Sequence, residues 1–341
     1  MTARKDDNYT YPQKIWIAGG ILAFIAIIIL LFRATFSVML LLLAGTLIAV
    51  YFRGLSGYIC RKTNWKEGAC LATSIIGSLL LLIFVFWMIG AKFQAQVAAL
   101  TETLPTTIEN AKTYLQKSAI GKKIVEKISS PQTQKNIETT AGTLFKSTFC
   151  ILGDIYVVLF IGIFFTVSPK LYKSGIVKLA PPGHQKKTDD VLRKLAENLK
   201  KWLKGQLLAM LVVTILSSIG LAIIGVPMWL ALAIIAGLLN FIPNFGPLIA
   251  MIPAVLIGLM DSSTTALLVA GLYILIQVLE SNFITPMVQQ KLVSIPPALI
   301  IIAQLLISPL TGAWGLVLAT PLMVIIIVLV KELYINTRET G

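Results

Sequence analysis

Between Lys204 and Asp261 the chain runs for 56 residues without an acid or a base. A stretch this apolar belongs in lipid, yet it is too long for two simple spans of ~20 residues each. It is also interrupted, first at Gly225-Val-Pro227 and again at Pro243-Asn-Phe-Gly-Pro247. A bilayer offers no water to backbone groups freed by a broken helix, so such breaks survive only where protein or a wet cavity covers them. The pattern predicts a span over 206–225, a broken element over 228–258 and a span over 263–285. The last apolar stretch, 297–330, also exceeds one untilted helix and is split at Ser308-Pro-Leu-Thr-Gly312. Each broken element reads equally as a kinked span or a re-entrant hairpin.

The remainder fits the same class. The 341 residues are 57% hydrophobic and 13% charged, against roughly a quarter charged in soluble domains. The expectation is an all-α polytopic membrane protein of about eight transmembrane helices. Residues 1–91 hold the first three helices, and 92–146 form an amphipathic helical insertion on the extracytoplasmic side. Residues 147–204 hold the fourth helix and a basic cytoplasmic connection, and 205–341 form a C-terminal transport core with broken helices. Spans 15–32 and 34–52 meet only at Arg33, which predicts a tight hairpin, followed by an outward span over 68–91. Gly19, Gly20, Gly45, Gly68 and Gly77 offer small faces for close helix approach. The first apolar run lacks a small-residue cleavage site and reads as a retained helix.

The net charge of +14 raises the question of nucleic acid, but its distribution points elsewhere. Of 29 bases, ten fall in 168–204, four in 53–67, three before residue 15 and two after 330. Short basic loops mark the cytoplasmic side of a bacterial inner membrane. This places the N-terminus in the cytoplasm and leaves no nucleic-acid partner. The eight lysines of 92–146 depart mildly from that rule. Residues 189–204 carry Val191, Leu195, Leu199 and Trp202 at helical spacing between bases, the pattern of an amphipathic helix on the membrane surface. Cys60, Cys70 and Cys150 show no metal-ligand spacing and read as buried small hydrophobes, without a disulfide.

Acids narrow the search for a site. Of 15, eight lie in cytoplasmic or terminal segments and four in 92–146, leaving Asp154, Asp261 and Glu280. Asp261, in Met-Asp-Ser-Ser-Thr-Thr, fits a turn and the N-cap of the next helix. Asp154 and Glu280 have apolar sequence on both sides, and an ionised carboxylate near a helix centre costs about 2.5–3.5 kcal/mol to insert. Each must face a bundle interior, a partner or water. Tyr273, Gln277 and Glu280 follow i, i+4, i+7 spacing and share a helix face. Asn282 joins them only if the helix unwinds before Pro286. Such a stripe serves either a solute path or hydrogen-bonded helix packing. Lys291, the one base between 205 and 330, marks a polar turn or pairs with Glu280. A single histidine, His184, and the lack of HExxH, GxSxG and Walker A motifs leave no catalytic group, metal or cofactor to expect, and the chain does not read as an enzyme.

Several motifs resemble those of the AI-2E (autoinducer-2 exporter) family of permeases. They are Trp202-Leu-Lys-Gly-Gln206, Leu239-Asn-Phe-Ile-Pro-Asn-Phe-Gly-Pro247 and Gln277-Val-Leu-Glu-Ser-Asn-Phe-Ile-Thr-Pro286, followed by Ile295-Pro-Pro-Ala-Leu and Gly312-Ala-Trp-Gly-Leu-Val-Leu-Ala-Thr-Pro321. Ser168-Pro-Lys departs from the family, where an acid often stands. The resemblance implies an eight-span inner-membrane homo-oligomer, pentameric in some members. It also implies movement of a small solute by displacement of the broken-helix region. Some members export autoinducer-2 and others resemble sodium–proton antiporters.

The expected site is a solute or ion path formed by Asn240, Pro243, Asn244, Gly246 and Pro247 at the break. Tyr273, Gln277, Glu280, Asn282 and Pro286 would flank it, with Asp154 as a further candidate. The leading reading is a secondary transporter of a small polar solute. Cation–proton antiport on Asp154 and Glu280 is an alternative, and a non-transporting membrane scaffold is an alternative of another class.

Overall fold

A computed structural model describes residues 11–88, 153–284 and 296–335. All regular structure among them is helical. Helices α1 (Tyr11–Thr63) and α2 (Glu67–Met88) come first, then α3 (Gly153–Val167) and α4 (Pro169–Leu179). Next are α5 (Gln185–Ile224), α6 (Trp229–Leu239), α7 (Phe245–Asp261) and α8 (Ser263–Leu279), which ends in a π-helical turn, Glu280–Ile284. Helices α9 (Pro297–Thr311) and α10 (Ala313–Val330) close the bundle, with a second π-helical turn at Lys331–Ile335. Five of the described helices are long and apolar enough to cross a membrane, or six if the bent α3–α4 pair counts as one span. The insertion 92–146, Cys150, Pro286 and Lys291 lie outside the described residues.

The N-terminal hairpin expected at Arg33 does not form. Residues 15–32 and 34–52 belong to one 53-residue helix, about 80 Å long at 1.5 Å per residue. The junction Arg33-Ala-Thr-Phe contains neither glycine nor proline, so nothing there ends a helix. The Ser37 hydroxyl even donates to the Arg33 carbonyl at 3.0 Å, one turn back. Lys14 and Arg53 therefore stand about 58 Å apart along one axis, and a common membrane face for the N-terminus and the 53–67 turn loses its basis. Residues 19–35 are exposed, and burial begins at Leu40.

The amphipathic segment 189–204 is not a separate surface helix either. It continues unbroken into the 206–225 span as the 40-residue α5. Its stripe is buried inside the protein, with Leu199, Trp202 and Leu203 packed with Leu40, Leu43 and Leu47 of α1. Burying this stripe against protein is worth ~1.5–3 kcal/mol per large side chain. The cysteines differ as well. Helices α1 and α2 are joined by Asn64-Trp65-Lys66 alone, which brings Cys60 and Cys70 to a Cα separation of 5.6 Å, and they form a disulfide. The short turn, which sequence spacing does not reveal, is what pairs them.

Helix α5 is the spine. It packs on α1, α4, α6, α8, α10 and the Glu280–Ile284 turn. Two apolar clusters form along it. One joins α1, Val158 of α3, the first half of α5, Ile300 of α9 and Leu318 and Val324 of α10. The other joins Val213 and Leu221 of α5 to α6, α7 and α8. Of the glycines expected at close approaches, only Gly45 makes one: α1 crosses α3 there, and a Cβ on Gly162 would lie 3.3 Å from the Gly45 carbonyl oxygen. Gly19, Gly20, Gly68 and Gly77 have no described atom within 4 Å of an added Cβ.

The continuity of α1 is directly measurable. Spin labels at Gly19 and Gly54 in the reconstituted protein should lie about 50 Å apart. A distribution centred below about 20 Å, as two packed helices would produce, would restore the hairpin.

Candidate functional site

The break between α6 and α7 begins with length. Helix α6 has 11 residues, about 17 Å, too short for a hydrocarbon core of ~30 Å. It ends where Phe241-Ile-Pro243 cannot sustain the ladder, and Asn244 takes a positive φ of 69°. Gly246 is required by contact. A Cβ there would sit 2.0 Å from the Leu239 carbonyl oxygen, so only glycine lets α7 start this close to the end of α6. Helices α6 and α7 pack on each other, and 228–258 is thus two helices around a tight break. The 297–330 stretch divides likewise into α9 and α10, with Gly312 at φ 67° between them.

Two carbonyls at the break accept from side chains of other helices, while those of Leu238, Leu239 and Ile242 are met by nearby backbone N–H groups. Gln206 Nε2 of α5 donates to the Asn240 carbonyl at 2.7 Å. Gln304 Nε2 of α9 donates to the Pro243 carbonyl at 3.1 Å. One turn before Gln206, the Trp202 indole meets the Phe241 ring edge-on, with centroids 5.8 Å apart. The break is therefore clamped from α5 and α9, at the seam between the two apolar clusters.

Side chains at this seam are less well provided for. Asn240 is fully buried, Glu280 is 5% exposed and Tyr273 is 3% exposed. Asn240 lies beside the Glu280 carboxyl, but neither its amide oxygen nor its amide nitrogen completes a hydrogen bond of proper geometry. Glu280 Oε2, Tyr273 Oη, Gln277 Oε1 and Gln304 Oε1 are likewise buried without a hydrogen-bond partner among the described residues. A buried polar atom left unpaired costs ~1–3 kcal/mol, and such atoms are rare in native interiors. Of these, Asn240 and Glu280 are brought together, and they offer a donor and acceptors suited to a hydroxylated guest.

Other candidates fall outside this group. Asn282 lies in the π-helical turn, exposed, and its Nδ2 donates to the Val278 carbonyl at 2.8 Å. Asp154 Oδ2 accepts the Trp314 Nε1 proton at 2.7 Å, tying the start of described α3 to α10. Asp261 ends α7 and accepts from the Thr265 hydroxyl at 2.7 Å, while the N-cap oxygen of α8 is that of Ser262. Gln277 belongs to the group through Oε1 alone, since its Nε2 donates to Ser281 Oγ at 3.2 Å. Pro243, Asn244 and Pro247 shape the break rather than offer unpaired side-chain groups.

Sequence reasoning did not single out Gln206 and Gln304 as site residues. The available signal was an amide inside an uncharged run, where each polar group needs a partner. Ser217 of α5 and Thr320 of α10, buried hydroxyls without a partner among the described residues, were also missed.

Similarity to known proteins follows the same outline. The profile of the AI-2E family transporters matches residues 21–335. The chain is 26% identical over 272 residues to "Putative transport protein YueF" of Bacillus subtilis (strain 168), covering 75% of this chain and 73% of that one. It is 32% identical over 152 residues to "Putative transport protein YrrI" of the same organism, covering 45% and 43%. With "Putative permease PerM" of Escherichia coli (strain K12) it shares 23% identity over 166 residues, covering 48% and 47%. The matched stretch thus spans less than half of YrrI and of PerM.

The clamp predicts an asymmetry between its two glutamines. Gln206→Leu leaves the Asn240 carbonyl without its donor and should lower stability by about 1–2 kcal/mol. Gln304→Leu removes a donor but also an unpaired buried oxygen, so its cost should be smaller. Unfolding in mixed micelles reads both, and equal or reversed costs would contradict the assigned bonding.

Proposed function

The chain belongs to the AI-2E transporter family, and from that premise we propose that it is a secondary transporter carrying a small, polar, hydroxyl-bearing solute. The path runs through the seam where Asn240 of the α6–α7 break faces Glu280. The observation that carries this reading is a set of buried polar atoms without a hydrogen-bond partner among the described residues: the Asn240 amide and Glu280 Oε2 at the seam, and Tyr273 Oη on the same helix as Glu280. A packed scaffold gains nothing from leaving them unpaired, whereas a solute with several hydroxyls would satisfy both donors and acceptors as it passes. Autoinducer-2, the furanone suggested by the family resemblance, is a solute of this kind. Export across the bacterial inner membrane is the proposed direction.

Glu280 is the one acid in the group, and its role is to accept hydrogen bonds from the solute or to exchange a proton during the cycle. Asn240 orients the solute through an amide whose own backbone is already held by Gln206. The antiport alternative needs Asp154 as a second carboxylate. Its bond to Trp314 ties it to a different contact, so the single-carboxylate reading is favoured.

Flux of labelled autoinducer-2 and of a panel of small polyols into proteoliposomes tests the proposal. Glu280→Gln should lower flux of the transported solute by about tenfold or more, as loss of a hydrogen-bonding carboxyl in a buried site does. Asp261→Asn should leave flux within about twofold, since its partner is a capping hydroxyl. Undiminished flux in Glu280→Gln would sink the role of Glu280.

A further inference from the structure

A second feature lies away from the break, at the elbow after α3. Helices α3 and α4 meet at Ser168 with a 90° bend, and Pro169 occupies the first turn of α4. None of the residues of α4 is buried. Its Leu171 and Leu179 are 67% and 86% exposed beside Lys170, Lys173 and Lys178. An apolar and basic helix set at right angles to a span lies in the plane of the membrane interface.

Between this elbow, α1 and the first half of α5 is a cavity of about 750 Å³, within the range that holds a small-molecule ligand. Ala49, Val50, Phe165, Ile176 and Leu192 supply apolar wall. Five bases also line it, Arg53, Lys170, Lys173, Arg193 and Lys200, with Glu197 the one acid in the lining. Three of these bases are engaged by acids outside the lining: Arg53 by Glu67 at 3.3 Å, Lys173 by Asp189 at 2.7 Å and Arg193 by Asp190 at 2.9 Å. Lys170 and Lys200 have no ion pair among the described residues. The surrounding segment 168–204 carries ten bases and three acids, so the local field favours an anion.

We propose that this cavity binds an anionic phospholipid, with its phosphate between Lys170 and Lys200 and the upper part of its chains against Val50, Phe165 and Ile176. A soluble anion would suit the lysines but not the apolar wall. A neutral lipid would suit the wall but leave two ammonium groups unmatched. The site also lies where a span ends and an interfacial helix begins, the depth at which a lipid headgroup sits. Basic pockets at this level between membrane helices have the chemistry for anionic headgroups.

Native mass spectrometry of the full chain, extracted from vesicles of equal phosphatidylglycerol and phosphatidylcholine, reads the preference. Wild type should retain phosphatidylglycerol about tenfold over phosphatidylcholine, and Lys170→Gln with Lys200→Gln should reduce this to about twofold or less. The charge-matched pair Lys62→Gln with Lys66→Gln should keep the wild-type preference. Selectivity that survives loss of Lys170 and Lys200, or that falls equally in the control pair, overturns the site in favour of diffuse attraction. Release of the lipid by millimolar glycerol phosphate overturns it in favour of a soluble anion.

Discussion

A carbonyl set free by a helix break has no water to turn to inside a bilayer, and the arrangement of this protein follows from that need. The Asn240 and Pro243 carbonyls are met by Gln206 and Gln304, residues of separate helices that stand 98 positions apart in sequence. For both donors to arrive, α5 and α9 must flank the break. Trp202 and Phe241 then fill the space one turn away. The long α5 makes this possible because its first half belongs to one apolar cluster and its second half to the other. The break therefore sits at the boundary between two packed bodies and not in the middle of either.

This division separates structural polar groups from functional candidates. Asp261 has the Thr265 hydroxyl, Asp154 has the Trp314 indole and Asn282 has the Val278 carbonyl. Each has a partner that accounts for it. Asn240 is different: its backbone is satisfied while its side chain is not. The Gln206 bond holds the residue's backbone in place without using its amide, which leaves that amide beside Glu280. Preorganisation of this kind lets a site bind without the cost of ordering its own groups.

Much of this was readable from residue order alone. The breaks at Gly225-Val-Pro227, Pro243–Pro247 and Ser308–Gly312 follow from local chemistry, since proline lacks the amide hydrogen and glycine adopts positive φ. The shared face of Tyr273 and Glu280 follows from helical period. What failed depended on tertiary packing or on the absence of a signal. Arg33 looked like a hairpin because a charge interrupts an apolar run, yet a charge does not break a helix. The 189–204 stripe looked lipid-facing because amphipathicity does not say what covers the apolar side, and here α1 does. Cys60 and Cys70 are paired by a three-residue turn whose geometry no spacing rule contains. Gln206 and Gln304 act across helices, and only their position in uncharged sequence hinted at it.

The magnitudes indicate where such a structure yields most easily. Within each cluster, large side chains are buried at ~1.5–3 kcal/mol apiece, and separating them exposes many at once. Among the described residues the polar ties across the break are the two glutamine bonds, and interhelical hydrogen bonds in membranes average ~0.6 kcal/mol. Unpaired atoms at the same place subtract from stability instead of adding to it. The seam is thus where α6–α8 and the α1–α9–α10 body are held together least by polar contacts, with α5 continuous through both. A guest that hydrogen-bonds to Asn240 and Glu280 would stabilise whichever arrangement brings those groups to it, and differential affinity of that kind is what links binding to a conformational change.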